Sequence, residues 1–163
     1  MSAKLTTQVP QWHETDTDEM VDVTSPDNIL VNGTLENGAI ASVHVASIPW
    51  AGNGLTMEIF GRNGTLKATS AGSTNVGFVK LEGAQESDDL AEIDIPARHT
   101  FVSEETPKGP PFNVGQMYNQ FGKGIQGEVS SYPDFDTAVE LHILLDAIRQ
   151  SSEENREIEV SRG

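Results

Sequence analysis

The side chains able to do chemistry in this chain are few and scattered. Its four histidines stand at positions 13, 44, 99 and 142, without the HxxxH or HExxH spacing that turns two imidazoles toward one metal ion. His142 falls in a helical stretch, where an imidazole on the core face, bonded to a backbone carbonyl, is the reading preferred over a catalytic base. Asp134 and Asp136 resemble a carboxylate pair, but they stand where a helix entrance takes acidic caps, and Asp136 is the expected N-cap. Asp88-Asp89 and Glu104-Glu105 fall in predicted loops, and they read as solvated charge.

Two glycine clusters, Gly52-Asn53-Gly54 and Gly61-Arg62-Asn63-Gly64, have the composition of a phosphate loop. A dinucleotide fingerprint needs GxGxxG between a strand and a helix, and a Walker loop needs GxxxxGK[ST]; these clusters lie between predicted strands, so hairpin geometry accounts for them. Trp50 follows Ile48-Pro49 beside the flexible Ala51-Gly52-Asn53-Gly54 stretch. An aromatic there is a candidate pocket wall, weighed against a plain cap on the core.

The elements that must position these residues are mostly strands. Residues 4–9 alternate weakly as a first strand, and the acidic run from His13 to Glu19 is expected to be a loop. Asn28–Leu35 and Ala39–Ile48 form β-rich segments joined through Glu36-Asn37-Gly38, where Asn-Gly supplies the positive φ of a tight hairpin. In the second of these neither alternating face is strongly polar, which predicts that both faces are covered. Leu55–Phe60 and Thr65–Thr69 pair across Arg62-Asn63-Gly64, with Val76–Leu81 and Ala91–Ile95 continuing an antiparallel meander of five to seven strands.

After a Pro- and Gly-rich crossing at 97–111, a helix is predicted from Phe112, with Val114, Met117, Tyr118, Phe121 and Ile125 at helical spacing. Gly115, Gly122 and Gly124 each cost such a helix about 1 kcal/mol relative to Ala, so it is expected to be short or bent. A second helix follows Pro133, with Val139, His142, Ile143, Leu145 and Ile148 as a wide buried stripe and Arg149 near its C-terminal end. Residues 157–160 alternate as a terminal edge strand. The whole reads as one domain over 1–163, α+β, with an open, mostly antiparallel sheet backed by two or three helices and a helical part over about 112–152.

Composition narrows the function. The net charge of −15, from 25 acidic against 10 basic residues, disfavours direct nucleic-acid binding, which needs clustered Lys and Arg. Cysteine is absent, which excludes disulfides, thiolate metal sites and a cysteine nucleophile. No apolar run approaches the roughly 18 residues of a membrane span, and the N-terminal residues lack an apolar signal core. A soluble, cytoplasmic protein is expected.

The order and spacing of NGTLENGAIASVHV, MEIFGRNGTLKA and DFDTAVELHILLDAI, the last followed by Ser151, Ser152, Arg156 and a final strand, resemble the C-terminal domain of the Gfo/Idh/MocA oxidoreductases over about 130 residues. That resemblance implies a parent protein with an N-terminal Rossmann domain binding NAD or NADP, a sugar or polyol as substrate, and a sheet face that packs against a second subunit. The family's catalytic Glu-Lys-Pro motif and the His or Asp on its following helix have no counterpart before Lys4. No catalytic, cofactor or metal residue therefore transfers to this chain, which is expected to be inactive alone. The family's pocket-lining loop falls on Trp50, Asn53 and Gly54. The alternative implied by regulator-type members of the family is a non-enzymatic transcriptional regulator or protein-interaction domain that uses the same sheet as a docking surface.

Overall fold

The computed structural model describes residues 1–48, 51–73, 78–86, 88–128 and 132–160. Its contacts form two compact units, one built from Met1–Ala51 and Pro133–Gly163, the other from Gly52–Tyr132.

In the first unit β1 (Ser2–Thr6), β4 (Asn28–Thr34) and β5 (Ile40–Ala46) form an antiparallel sheet in the order β1-β4-β5. The registers Val31↔Val43, Ile29↔Val45 and Leu5↔Ile29 bring Leu5, Ile29, Val31, Val43 and Val45 to one face, as the two-residue period of a strand requires. The α2 helix (Phe135–Glu154) packs on β1. The predicted hairpin between β4 and β5 is present. Gly38 alone takes the left-handed conformation, at φ +83, while its N–H donates to the Leu35 carbonyl and Leu35 N–H donates to that of Ala39, both at 2.8 Å. This is a turn closed by a left-handed glycine rather than a two-residue Asn-Gly turn. The expectation that both faces of β5 are covered is not met: Val43 and Val45 are each 50% exposed.

The acidic run read as a loop is instead the tip of a hairpin, β2 (Gln11–Glu14) with β3 (Glu19–Asp22). Its turn is made by short polar side chains: Thr17 Oγ1 donates to Glu14 Oε2 at 2.6 Å, His13 Nε2 lies 2.8 Å from Asp18 Oδ1, and Asp18 takes φ +60. Such local side-chain bonds offset the repulsion of Glu14 against its cross-strand partner Glu19. Trp12 with Val21 is the one cross-strand pair of β2 and β3 in which both residues are apolar, too short a run for periodicity to detect.

Asp134, not Asp136, caps α2: its carboxylate accepts from Thr137 N and Thr137 Oγ1, both at 2.8 Å. These bonds, the backbone one foremost, hold its carboxyl below the usual range. The buried side of α2 is also narrower than the predicted stripe. Ala147 and Ser151 are buried and Ile143 and Ile148 half-buried, whereas Val139, His142 and Leu145 are exposed. The helix runs on to Glu154, so Arg149 lies a turn inside its end and pairs with Asp146 at 3.0 Å. Residues 157–160 form no strand; Ile158 nevertheless exchanges two backbone bonds with Met1, at 2.6 and 2.8 Å.

The second unit holds β6 (Leu55–Phe60), β7 (Gly64–Ser70), β8 (Lys80–Gln85) and β9 (Ala91–Glu92), in that order and antiparallel throughout. The strand expected at Val76–Leu81 runs later, over Lys80–Gln85, with Val76 itself outside the described residues. Its partner is also shorter than Ala91–Ile95. Leu55, Met57, Ile59, Leu66, Ala68 and Leu81 share one face. The opposite face carries Lys67 with Glu58, and Lys80 with Glu82 and Glu92, as ion pairs. This clean alternation is that of a sheet with one apolar and one solvated face.

The α1 helix (Pro110–Ile125) is continuous over 16 residues despite its glycines. Packing explains why two of them are glycine. A Cβ on Gly124 would sit 2.0 Å from the Tyr132 ring and one on Gly115 3.1 Å from Val102. The Tyr132 ring in turn meets Phe121 edge to face at 5.8 Å. The Gln116 side chain ties the preceding segment down, accepting from Phe101 N and donating to the His99 carbonyl.

Candidate functional site

Of the three residues expected to line a pocket, Trp50 lies outside the described residues. Asn53 and Gly54 are exposed at the entrance to β6. Gly54 has φ +74, and a Cβ there would stand 2.0 Å from the Ser70 carbonyl oxygen and 2.6 Å from the Ala71 carbonyl carbon. Both facts restrict the position to glycine. The backbone at Gly54 is thus fastened against the end of β7, so the stretch that precedes it springs from a fixed point. Ser70 is buried, and its hydroxyl has no hydrogen-bond partner among the described residues.

The glycine clusters do not cradle phosphate. Gly61-Arg62-Asn63-Gly64 closes the β6–β7 hairpin, with Gly61 N–H donating to the Gly64 carbonyl at 2.8 Å. Gly52-Asn53-Gly54 is not a hairpin, because β5 pairs with β4 and β6 with β7. Neither helix entrance offers an anion site. The first two residues of α1 are Pro110 and Pro111, which have no N–H to donate, and the first turn of α2 is occupied by the Asp134 carboxylate. The described glycine clusters and helix entrances therefore form no strand-to-helix phosphate turn.

A shallow groove lies at the opposite end of the β6–β8 strands from Asn53, where Arg62, Asn63, Gln85, Asp88 and Asp89 surround Leu66 and Ile93. The first unit has its own apolar cleft, formed by Val31, Ala41 and Val43 of the sheet, Leu144 and Ile148 of α2, and Ile158. His142 lies exposed on α2 rather than bonded to a carbonyl in the core. Among the described residues no three His, Asp or Glu side chains converge as a metal site, and no helix is long and apolar enough to cross a membrane.

Sequence reasoning missed Asp27. Its side chain is buried and accepts from Gln8 N at 2.8 and 2.9 Å, Val9 N at 2.7 Å and Asn28 Nδ2 at 3.0 Å. Its backbone accepts from Ser47 N at 2.8 Å and donates to the Thr6 carbonyl at 3.1 Å. Asp27 thereby ties the exit of β1, the foot of the β2–β3 hairpin and the end of β5 together. The Asn28 amide, then the Gln8 and Val9 amides, hold its carboxyl below the ordinary value of 3.8. A carboxyl whose pKa is lower folded than unfolded stabilises the fold above its unfolded pKa and stops doing so as acid protonates it. In Asp27→Asn the thermal midpoint should fall by several degrees at neutral pH. The gap to wild type should stay constant above about pH 5 and narrow as the pH drops through 3.8. Thermal scans across that range check this, and a gap unchanged in strong acid would show that the charge is not what matters.

A profile of the oxidoreductase family's C-terminal alpha/beta domain, Gfo/Idh/MocA type, matches residues 2–160. The chain belongs to this family. Solved Gfo/Idh/MocA-like structures agree in fold. A levoglucosan dehydrogenase in complex with NADH and L-sorbose superposes with a TM-score of 0.71 at 20% identity, over 99% of this chain and 44% of that one. An NAD binding oxidoreductase from Klebsiella pneumoniae gives 0.75 at 20% identity, over 99% and 45%. An oxidoreductase domain protein from Kribbella flavida gives 0.71 at 17% identity, over 99% and 44%. This Gfo/Idh/MocA domain spans less than half the length of those proteins. A search of curated proteins by sequence returns no match.

Proposed function

We propose that this Gfo/Idh/MocA domain is the C-terminal part of an NAD- or NADP-dependent oxidoreductase of the sugar or polyol dehydrogenase type, and that it supplies one wall of the substrate pocket and a subunit interface. The observation that carries the reading is the pairing of near-complete coverage of this chain with 44% coverage of a dehydrogenase solved with NADH and L-sorbose. The nicotinamide, the hydride chemistry and its proton transfer then belong to an N-terminal Rossmann domain, the partner of this domain in the parent. Within this chain Trp50, Asn53 and Gly54 are the proposed wall, with the packed Gly54 backbone beside Asn53. This reading takes the parent to be cytoplasmic.

Self-association is supported by large apolar side chains that stand exposed: Met57 at 52%, Ile59 at 52%, Tyr118 at 69% and Phe121 at 48% exposure. A homo-oligomer formed through a sheet face, together with the Rossmann domain, would cover such surface.

An antibody to this chain, applied to extracts of its source cells, tests the reading. The expected band lies at more than twice 17.6 kDa, and the protein of that size should oxidise a polyol with a nicotinamide. A band at 17.6 kDa, or saturable NADH binding by the chain alone, would overturn it.

A further inference from the structure

The sequence contains four Asn-Gly steps, at Asn32-Gly33, Asn37-Gly38, Asn53-Gly54 and Asn63-Gly64. Such a step is the dipeptide most prone to spontaneous deamidation, because a glycine nitrogen is unhindered. The glycine N–H gives up its proton and its nitrogen attacks the Asn Cγ. A C–N bond forms, the bond to the side-chain amide breaks, and ammonia leaves. Water then opens the succinimide at either carbonyl, giving Asp or isoaspartate. The reaction needs a glycine N–H free of hydrogen bonds, an unrestrained amide side chain, and a backbone free to rotate about the Asn ψ.

The fold withholds at least one of these conditions at three of the four steps. Asn32 and Gly33 lie in the central strand β4, held extended between β1 and β5. At the hairpin turn the Gly38 N–H donates to the Leu35 carbonyl at 2.8 Å, and Asn37 Oδ1 accepts from Ala39 N at 3.0 Å, so nucleophile and electrophile are both tied. At the β6–β7 hairpin the Asn63 carbonyl accepts from Glu86 N at 3.3 Å, while Gly64 pairs with Gln85 and its α-carbon packs where a Cβ would lie 2.2 Å from the Ala84 carbonyl oxygen.

Asn53-Gly54 is the one step outside the strand ladders and turns. It lies outside the ladders, both residues are exposed, and among the described residues neither the Asn53 side chain nor the Gly54 N–H makes a hydrogen bond. The Gly54 α-carbon is packed, and with it held, rotation about the Asn53 ψ moves Gly52 and Ala51, which are exposed, with nothing within 4 Å of the Gly52 Cβ position.

We propose that Asn53 is the position at which this chain deamidates, as a chemical modification site selected by the fold. The product places a carboxylate where a neutral amide stood. In its isoaspartyl form it also adds one carbon to the main chain directly before a glycine that has no slack against Ser70.

The test compares rates in the folded and unfolded chain. Purified protein is aged in mildly alkaline buffer with and without urea, and fragment-ion mass spectrometry, with enzymatic methylation of isoaspartate, follows the gain of one dalton at each site. In urea the four identical dipeptides should convert at similar rates. In the folded chain Asn53 should keep nearly its unfolded rate, while Asn32, Asn37 and Asn63 slow by an order of magnitude or more. Asn53→Gln should abolish the fast phase and leave the circular dichroism spectrum unchanged. Protection of Asn53 equal to that of the others, or equally fast conversion of Asn37 or Asn63 in the folded chain, would overturn the proposal.

Discussion

Replacing Gly54 by Ala should lower stability by about 3 kcal/mol, the sum of a left-handed backbone penalty of about 1 kcal/mol and about 2 kcal/mol for forcing a methyl into packed backbone. The residue sits at φ +74 and its missing Cβ would be 2.0 Å from the Ser70 carbonyl oxygen, a contact that no side-chain rotation relieves. For a chain of this length the thermal midpoint should fall by about 6 to 12 °C. Gly52→Ala is the matched control. It has no positive φ and nothing within 4 Å of its Cβ position, so the substitution should be neutral or stabilising by about 0.5 kcal/mol through the unfolded chain. Calorimetry on the two variants decides the point, and equal midpoints would mean that the stretch before β6 is not anchored at Gly54.

Ser151→Ala should be the next most damaging change, by about 2 to 3 kcal/mol. Ser151 is 1% exposed. Its hydroxyl accepts from Ala3 N at 2.9 Å and donates to the Arg156 carbonyl at 2.7 Å. Alanine removes both bonds and leaves two partly buried backbone groups unpaired, which costs more than a hydrogen bond lost to water. Ser152 makes the parallel bond to Leu5 N at 2.9 Å from a half-buried position, so Ser152→Ala should cost about 1 kcal/mol. Denaturant midpoints measured side by side give the comparison. If Ser151→Ala were no worse than Ser152→Ala, the hydroxyl would not be bridging strand and helix.

These two positions also mark the limit of what patterns in the sequence reveal. Asn-Gly and Gly-rich spacing announces the β4–β5 and β6–β7 hairpins, since turn chemistry is local. The Pro133-Asp134 start of α2 is equally local, although the cap is Asp134 because its carboxylate reaches Thr137 N. What stays hidden is set by partners distant in the chain. Asp27 looks like any turn residue until Gln8 and Val9 come to it. The strands β5 and β6 are consecutive, yet each pairs elsewhere. The apolar stripe of α2 is only partly buried, since periodicity reports which residues share a face and not whether anything covers it. Of the candidate site, the glycine requirement at Gly54 follows from a close approach to Ser70 that no motif encodes.

The serine bonds along β1 also order events in time. The outward N–H groups of Ala3 and Leu5 would be an open strand edge, and they are answered only by hydroxyls 148 and 147 residues away. The second unit, Gly52–Tyr132, lies wholly between these two parts of the chain. During synthesis it emerges entire and can condense while the first unit still lacks its closing helix. Until α2 leaves the ribosome, β1 remains a bare template for pairing with any neighbouring nascent chain. A stop codon shortly before Pro133 would therefore leave one unit able to fold and the other unable to protect its edge, with aggregation rather than a smaller soluble protein as the outcome.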